Sequence, residues 1–352
     1  MDADISTILG SCPMPLHDST AVLLGHGSGG KMTADLVERL FLPAFRNPYL
    51  EKLEDQAVLE VNGARLAFTT DSFVVTPIFF PGGDIGRLAV NGTVNDLAMS
   101  GARPLYLSAA FILEEGLPLT DLQHIVRSMQ EACEAAGVIL VTGDTKVVNR
   151  GSGDKVFINT SGVGSIEHTR VISADQVRAG DAVILSGTIA DHGMAVMSKR
   201  EGLEFETELL SDTAPLNALV QVMLEASAKI HCLRDPTRGG LASTLNEIAH
   251  RTHVGIVVDE KRIPIREDVK GACEILGIDP LYVANEGKLI AIVGRQDAEK
   301  VLERMRGHRH GQEAQIIGEV VGDHPHMVVM RTGIGGTRIV DVMLGEQLPR
   351  IC

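Results

Sequence analysis

The sequence predicts an α/β chain built as two consecutive α+β domains. Three observations carry that expectation. The length of 352 residues suits two domains at about 100–200 residues each. Strand and helix patterns alternate twice, on either side of a linker-like stretch at 165–180. The alternation includes a hairpin, which fits two mixed units better than one long parallel sheet.

The elements follow in order. Residues 1–22 have no periodicity, and Cys12-Pro13-Met14-Pro15 interrupts any regular element, so they read as an N-terminal extension. A glycine cluster, Gly25 to Lys31, precedes a helix for which Thr33 is the expected cap. Between 55 and 73 two apolar runs flank Asn62-Gly63, a strong hairpin signal. A helix is expected over 84–100, ended by Gly101, then a buried strand over 104–113. Thr120 with Gln123 has capping-box spacing before an amphipathic helix that Gly137 ends. Strands over 138–142 and 155–163 complete a domain spanning 23–165. A second domain, 175–323, holds strands near 181–186, 255–258, 289–293 and 316–320. Its helices are expected near 193–199, 215–229, 241–251, 267–276 and 298–306. The stretch 324–352 reads as a glycine-containing segment with a mobile end, Pro349-Arg350-Ile351-Cys352.

Composition excludes several functions. Aromatic residues make up 3% of the chain, too few for the stacking platforms of single-strand nucleic-acid binders. A formal net charge of −14 repels phosphate backbones. No basic leader and no run of about 20 apolar residues occurs, so a soluble cytoplasmic protein is expected. Five scattered cysteines without a CxxC pair argue against disulfides and structural zinc. Cys133 and Cys273 lie on apolar helix faces and are expected in the core.

The candidate chemistry is acidic. Asp55, Asp71, Asp96, Asp144 and Asp235 each stand at a strand end or a loop-to-helix junction. Several such carboxylates can hold Mg²⁺ against a nucleotide triphosphate. Asn91 and Asn95 share a helix face one turn apart, and amides there are costly to bury without a partner. Asp235-Pro236-Thr237-Arg238-Gly239-Gly240 is a tight turn opening a helix, a place where a backbone approaches an anion. Gly25–Lys31 lacks the spacing of a phosphate-binding P-loop, but could close over phosphates as a lid. Cys352 is a thiol at the chain end, and by itself it says little.

These segments together resemble the HypE carbamoyl dehydratase family of [NiFe] hydrogenase maturation. The resemblance is carried by His26-Gly27-Ser28-Gly29-Gly30, Thr70-Asp71-Ser72, Asn95-Asp96, Gly143-Asp144-Thr145-Lys146, Thr237-Arg238-Gly239-Gly240, Asn285-Glu286-Gly287-Lys288 and Pro349-Arg350-Ile351-Cys352. It extends from about residue 23 to the end. The acidic segments are shared with the wider aminoimidazole ribonucleotide synthetase and selenophosphate synthetase superfamily, whereas the terminal Pro-Arg-Ile-Cys is specific.

The resemblance implies a two-domain aminoimidazole ribonucleotide synthetase-like fold and a homodimer formed through the N-terminal domain. It implies ATP and Mg²⁺, with Asp55, Asp71, Asp96 and Asp235 as metal ligands. Asn91, Asn95, Asp144 and the turn Thr237–Gly240 would join them around the nucleotide. It implies that the carbamoyltransferase HypF loads Cys352, that the carbamoyl group is dehydrated there to a thiocyanate, and that the cyanide passes to HypC–HypD. Glu286 is the expected base, and Lys146 the group orienting the carbamoyl oxygen. A selenophosphate-type enzyme would want a cysteine inside Gly25–Lys31, which has none. A non-catalytic carrier of Cys352 would not need the acidic set.

Overall fold

The computed structural model describes residues 21–203, 208–343 and 350–352. The short helices α1 (Lys31–Leu36) and α2 (Leu42–Phe45) are joined by a π-helical turn. Gly30, not Thr33, is the cap residue of α1; Thr33 lies inside it, and its hydroxyl takes the Gly29 N–H at 2.9 Å.

The first sheet begins with the expected hairpin, β1 (Ala57–Val61) and β2 (Ala64–Phe73). Asn62 and Gly63 both have positive φ, 51° and 80°, the pair of conformations a two-residue turn needs to match strand twist. The small strands β3 (Phe79–Phe80) and β4 (Gly83–Asp84) lead into α3 (Ile85–Met99), which Asp84 caps through the Gly86 and Arg87 N–H groups. Next come β5 (Arg103–Glu114), α4 (Leu119–Ala136), β6 (Ile139–Val148) and β7 (Val156–Ser165). The sheet order is β1-β2-β7-β5-β6, with only the β5–β6 pair parallel. The capping box at Thr120 does not form. Pro118 stands at the cap position and Thr120 is already in the first turn, because proline presets the φ that opens a helix.

Helices cover one face of this sheet. Alternate residues of β7 are buried beneath α3, and α4 packs on α3. The other face is open, with Phe68, Tyr106 and Ile112 exposed. β6, at the edge, has nine consecutive exposed residues. Gly143–Lys146 lies within this strand rather than in a loop after it.

The second domain comprises β8 (Ala182–Leu185), α5 (Asp191–Glu201), α6 (Asn217–Ala226), β9 (Ile230–Arg234), α7 (Gly240–Arg251), β10 (Gly255–Asp259), α8 (Glu267–Leu276), β11 (Ile290–Val293), α9 (Ala298–Arg306), β12 (Gln315–Val321), β13 (Val328–Arg331) and β14 (Thr337–Val340). Their sheet runs β14-β13-β10-β12-β8-β11-β9. Three of these strands escaped the sequence reading. β9 is five residues long and follows α6 after a three-residue gap, so its pattern merges with the helix. β13 and β14 lie in the stretch 324–352 and extend the second domain's sheet.

α3 is buried on every side. It packs on the first sheet and on α4, while Ala98 and Met99 join the core around α6 and α9. Its apolar and small residues are packed from both sides, and its buried polar groups face one domain or the other, so this helix is the axle between the domains. Gly92 permits that fit, since a β-carbon there would stand 2.8 Å from the Phe73 ring. Cys133 and Cys273 are core residues, as expected. No helix among the described residues is long and apolar enough to cross a membrane.

Candidate active site

The polar groups of α3 divide between its two faces. Toward the first sheet, the Asp96 carboxylate takes the Thr69 hydroxyl at 2.8 Å, and Thr93 approaches Asp71 at 3.3 Å. Burial raises the proton affinity of both Asp71 and Asp96, and the Asp71 charge raises that of Asp96 further. Asp55 and Asp235 belong to the same electrostatic network. Asp55 is pushed well up by burial, against the Arg234 guanidinium at 2.9 Å, and its Oδ2 has no partner. Asp235 is raised to about 7, again by burial. The four aspartates proposed as metal ligands are thus brought together, although no group of three or more among the described residues stands ready to hold a metal ion.

Toward the second domain, Asn95 is fully used by the protein. Its amide donates to the carbonyls of Ala214 and Glu286 and accepts the Leu216 N–H. This is an interdomain brace, and it answers the cost of burying an amide without a ligand. Asn91 donates to Thr213, and its Oδ1 remains without a partner.

The turn before α7 shapes the opposite wall. Gly239 and Gly240 have φ of 77° and 60°, and a β-carbon on Gly240 would meet the Leu281 and Val283 carbonyls at 2.6 Å. Only glycine lets the backbone pass there. Thr237 accepts the Gly240 N–H through its carbonyl. Arg238 reaches to the Gly27 carbonyl at 3.2 Å. The stretch Gly25–Gly30 therefore lies against this turn, packed so closely that a side chain on Gly29 would strike the Arg238 carbonyl at 2.8 Å.

A cavity of about 310 Å³ lies between these walls, with Ser72, Arg238, Tyr282 and Cys352 in its lining. The chain end is docked here. Cys352 is partly buried, and burial is the largest of the effects that raise the thiol's proton affinity, ahead of the charge of the nearby Glu286. Glu286 is itself buried, with Oε1 unpartnered, and burial pushes its carboxyl well above the usual range. The Arg238 guanidinium is held charged by Cys352, Asp71, Glu286 and Asp96 around it, Cys352 foremost. The chain end, expected to be mobile and to visit the site, lies docked in it at 350–352; Leu348 and Pro349 lie outside the described residues, as do residues 1–20.

Asp144 and Lys146 are not brought to this cavity. They pair with each other at 2.7 Å on the exposed edge strand, and the Lys146 ammonium lowers the Asp144 pKa. Asp144 shares a cross-strand row with Ala110, Asn159 and Ser72. Three strand spacings, about 14 Å, separate it from Ser72 on the cavity wall. A lysine side chain cannot span that.

Sequence reasoning missed three residues that hold the chain end, Asp154, His192 and Arg200. None lies in a motif or carries a periodic signal, and their partners are backbone carbonyls or a tail far away in sequence.

Comparison with known proteins agrees with this architecture. Residues 53–166 match the family model for the AIR synthase related protein N-terminal domain, and residues 178–330 match that for its C-terminal domain. A carbamoyl dehydratase HypE of Azotobacter vinelandii is 56% identical over 332 residues, covering 94% of this chain and 97% of the relative. The chain belongs to the HypE carbamoyl dehydratase family. A crystal structure of a HypE–HypF complex matches with a TM-score of 0.84 at 52% identity, over 88% of this chain and 99% of that one. A crystal structure of HypE in complex with ATP matches with a TM-score of 0.80 at 50% identity, over 94% of this chain and all of that one. The family works in hydrogenase maturation.

Proposed function

We propose that the chain dehydrates a carbamoyl group carried on its own Cys352 to a thiocyanate at the expense of ATP, providing the cyanide ligands of the [NiFe] hydrogenase iron. The observation that carries this reading is the docking of Cys352 in the cavity lined by Arg238, near the buried Glu286 carboxyl with its unpartnered Oε1.

An amide oxygen is a poor leaving group. Transfer of the γ-phosphoryl group to the carbamoyl oxygen makes it a good one. Loss of phosphate and of both nitrogen protons then leaves S–C≡N, and ATP becomes ADP. Glu286 is the base for the nitrogen, since a carboxyl pushed up by burial accepts a proton near neutral pH more readily than an ordinary one. Arg238 offsets the charge developing on the phosphoryl oxygens. Thr237, Gly239 and Gly240 hold phosphate oxygens at the start of α7.

Asp55, Asp71, Asp96 and Asp235 would hold Mg²⁺, a fit supported by the unpartnered Asp55 Oδ2 and by the burial of these carboxyls without enough cations to offset them. Mg²⁺ supplies charge neutralisation and alignment of the phosphates. Asn91 Oδ1 is open to a nucleotide contact; Asn95 acts through the interdomain brace.

A homodimer across the open face of the first sheet is the arrangement in which Lys146 and Asp144 can serve a site. Within one chain they are too far away. HypF as the loading partner is supported by the complex formed by a relative, and HypC–HypD is the acceptor the family resemblance implies.

The test is a single turnover of carbamoylated protein with Mg²⁺–ATP, read by intact mass and phosphate release. Cys352 should lose the mass of one water as ADP and phosphate appear. ATP consumption without that mass change, or full activity of Cys352→Ala on a small amide, would overturn the reading.

A further inference from the structure

We propose that His192, Arg200 and Asp154 are positioning residues that grip the backbone and the Arg350 side chain at the chain end, and so set how long Cys352 stays beside Glu286. This rests on the reading that Cys352 carries the reacting group.

The last three residues lie along the segment Val74–Thr76, held by its backbone. The Val74 N–H donates to the Cys352 carbonyl at 3.1 Å, and the Thr76 N–H to the Arg350 carbonyl at 3.2 Å. The intervening Ile351 carbonyl points away from that host segment and would be left buried. His192 Nε2 meets it at 2.8 Å. That contact requires an N–H at Nε2, so Nδ1 accepts the Ser211 hydroxyl at 2.8 Å. The ring is completely buried against the edge of Phe80, and burial lowers its proton affinity, which keeps it neutral.

Arg200 joins tail to host. Its Nε donates to the Thr76 carbonyl and its Nη2 to the Arg350 carbonyl, each at 2.7 Å. Asp154 takes the Thr76 hydroxyl at 3.0 Å and also binds the Arg350 guanidinium. Arg350 has a φ of 50°, a left-handed conformation that an arginine holds only where surrounding contacts determine it. The Ile351 side chain enters the first domain's core.

All three terminal carbonyls are thus bonded, and none of these contacts touches the thiol. The grip is indifferent to cargo. Thiol, carbamoyl and cyano forms of Cys352 dock through the same bonds, and release is governed by the grip rather than by the chemistry completed inside. A clamp made of a charge-assisted bond, a buried imidazole bond and an ion pair loses about ten-fold in docking equilibrium for each bond to a charged group removed.

The experiment uses the full-length protein and two readouts. Alkylation of Cys352 by iodoacetamide, followed on the terminal peptide by mass spectrometry, measures undocking without any turnover. Single-turnover dehydration of preloaded protein at saturating ATP measures docking in function. Arg200→Ala and His192→Phe should each speed alkylation about ten-fold and slow dehydration in proportion, with the KM for ATP unchanged; Arg200→Lys should recover part of the loss. If His192→Phe fails to fold, Arg200→Ala and Asp154→Ala carry the same test. Alkylation at the wild-type rate in the folded variants would overturn the clamp. Faster alkylation upholds it even where the wild type shows no dehydration, a result that would count against the proposed function alone.

Discussion

Buried carboxyls dominate the chemistry of this protein, and their proton affinities can be tested one at a time. Asp191, at the start of α5, is raised to about 6 by burial and by the neighbouring Asp212, with Lys288 and the Thr188 hydroxyl opposing. An acid whose folded pKa lies above its unfolded value stabilises the fold fully below the unfolded value. That contribution is lost as pH rises through the folded one. Wild type should therefore lose about 3 kcal/mol relative to Asp191→Asn between about pH 4 and pH 7. Urea unfolding of both proteins across that range checks it, and a constant difference would sink the assignment. At Cys352 burial likewise raises the thiol's proton affinity; if Cys352 carries the reacting group, its loading should occur on the undocked chain end. Glu286→Gln should abolish dehydration while leaving carbamoylation by HypF intact, as read by intact mass.

Two elements depend on glycine for different reasons. In α3, Gly92 lets the helix lie on Phe73. Gly92→Ala should cost about 1–3 kcal/mol of unfolding free energy through overpacking, because an aromatic ring edge can shift only slightly. At the start of α7 the obstacle is backbone. Gly240 has positive φ and faces two carbonyls at 2.6 Å. Gly240→Ala should cost about 3 kcal/mol, combining the left-handed penalty with a clash that cannot rotate away. Denaturant titration ranks the two, and an equal or reversed order would contradict the contacts. Both elements were legible beforehand, α3 from its span between Asp84 and Gly101, α7 from its glycine-led start. Less legible was which of their residues face a ligand. Asn91 and Asn95 lie on one helical face, yet one is braced completely between domains and the other keeps an open oxygen. Periodicity gives a face, and only the neighbouring chain decides what meets it.

For the whole molecule, the open face of the first sheet is the largest feature that a single chain leaves unexplained. Ile139 on β6 is exposed on this face together with Phe68, Tyr106 and Ile112. If a second copy covers this face, Tyr106→Asp with Ile112→Asp should convert a dimer to a monomer in sedimentation velocity, and should abolish turnover by removing Lys146 from the partner's site. A variant that remains dimeric, or a monomer with full activity, would exclude this arrangement.

Much of this protein is determined locally. The Asn62-Gly63 hairpin, the Asp84-capped helix, the alternation of two α/β units and the terminal Pro-Arg-Ile-Cys depend on backbone preference, burial periodicity and residue identity, all of which are written along the chain. Other features needed the folded chain. The aspartates are pushed up by burial, and Asp55, Asp96 and Asp235 further by neighbouring carboxylates, only because separate strands and helices bring them together. Lys146 is separated from Cys352 by sheet order, which no local pattern encodes. The chain end looked mobile because a short terminal segment has few contacts of its own; it is docked because Val74, Thr76, His192 and Arg200, more than 150 residues earlier in one case and more than 270 in another, supply the partners its three carbonyls lack.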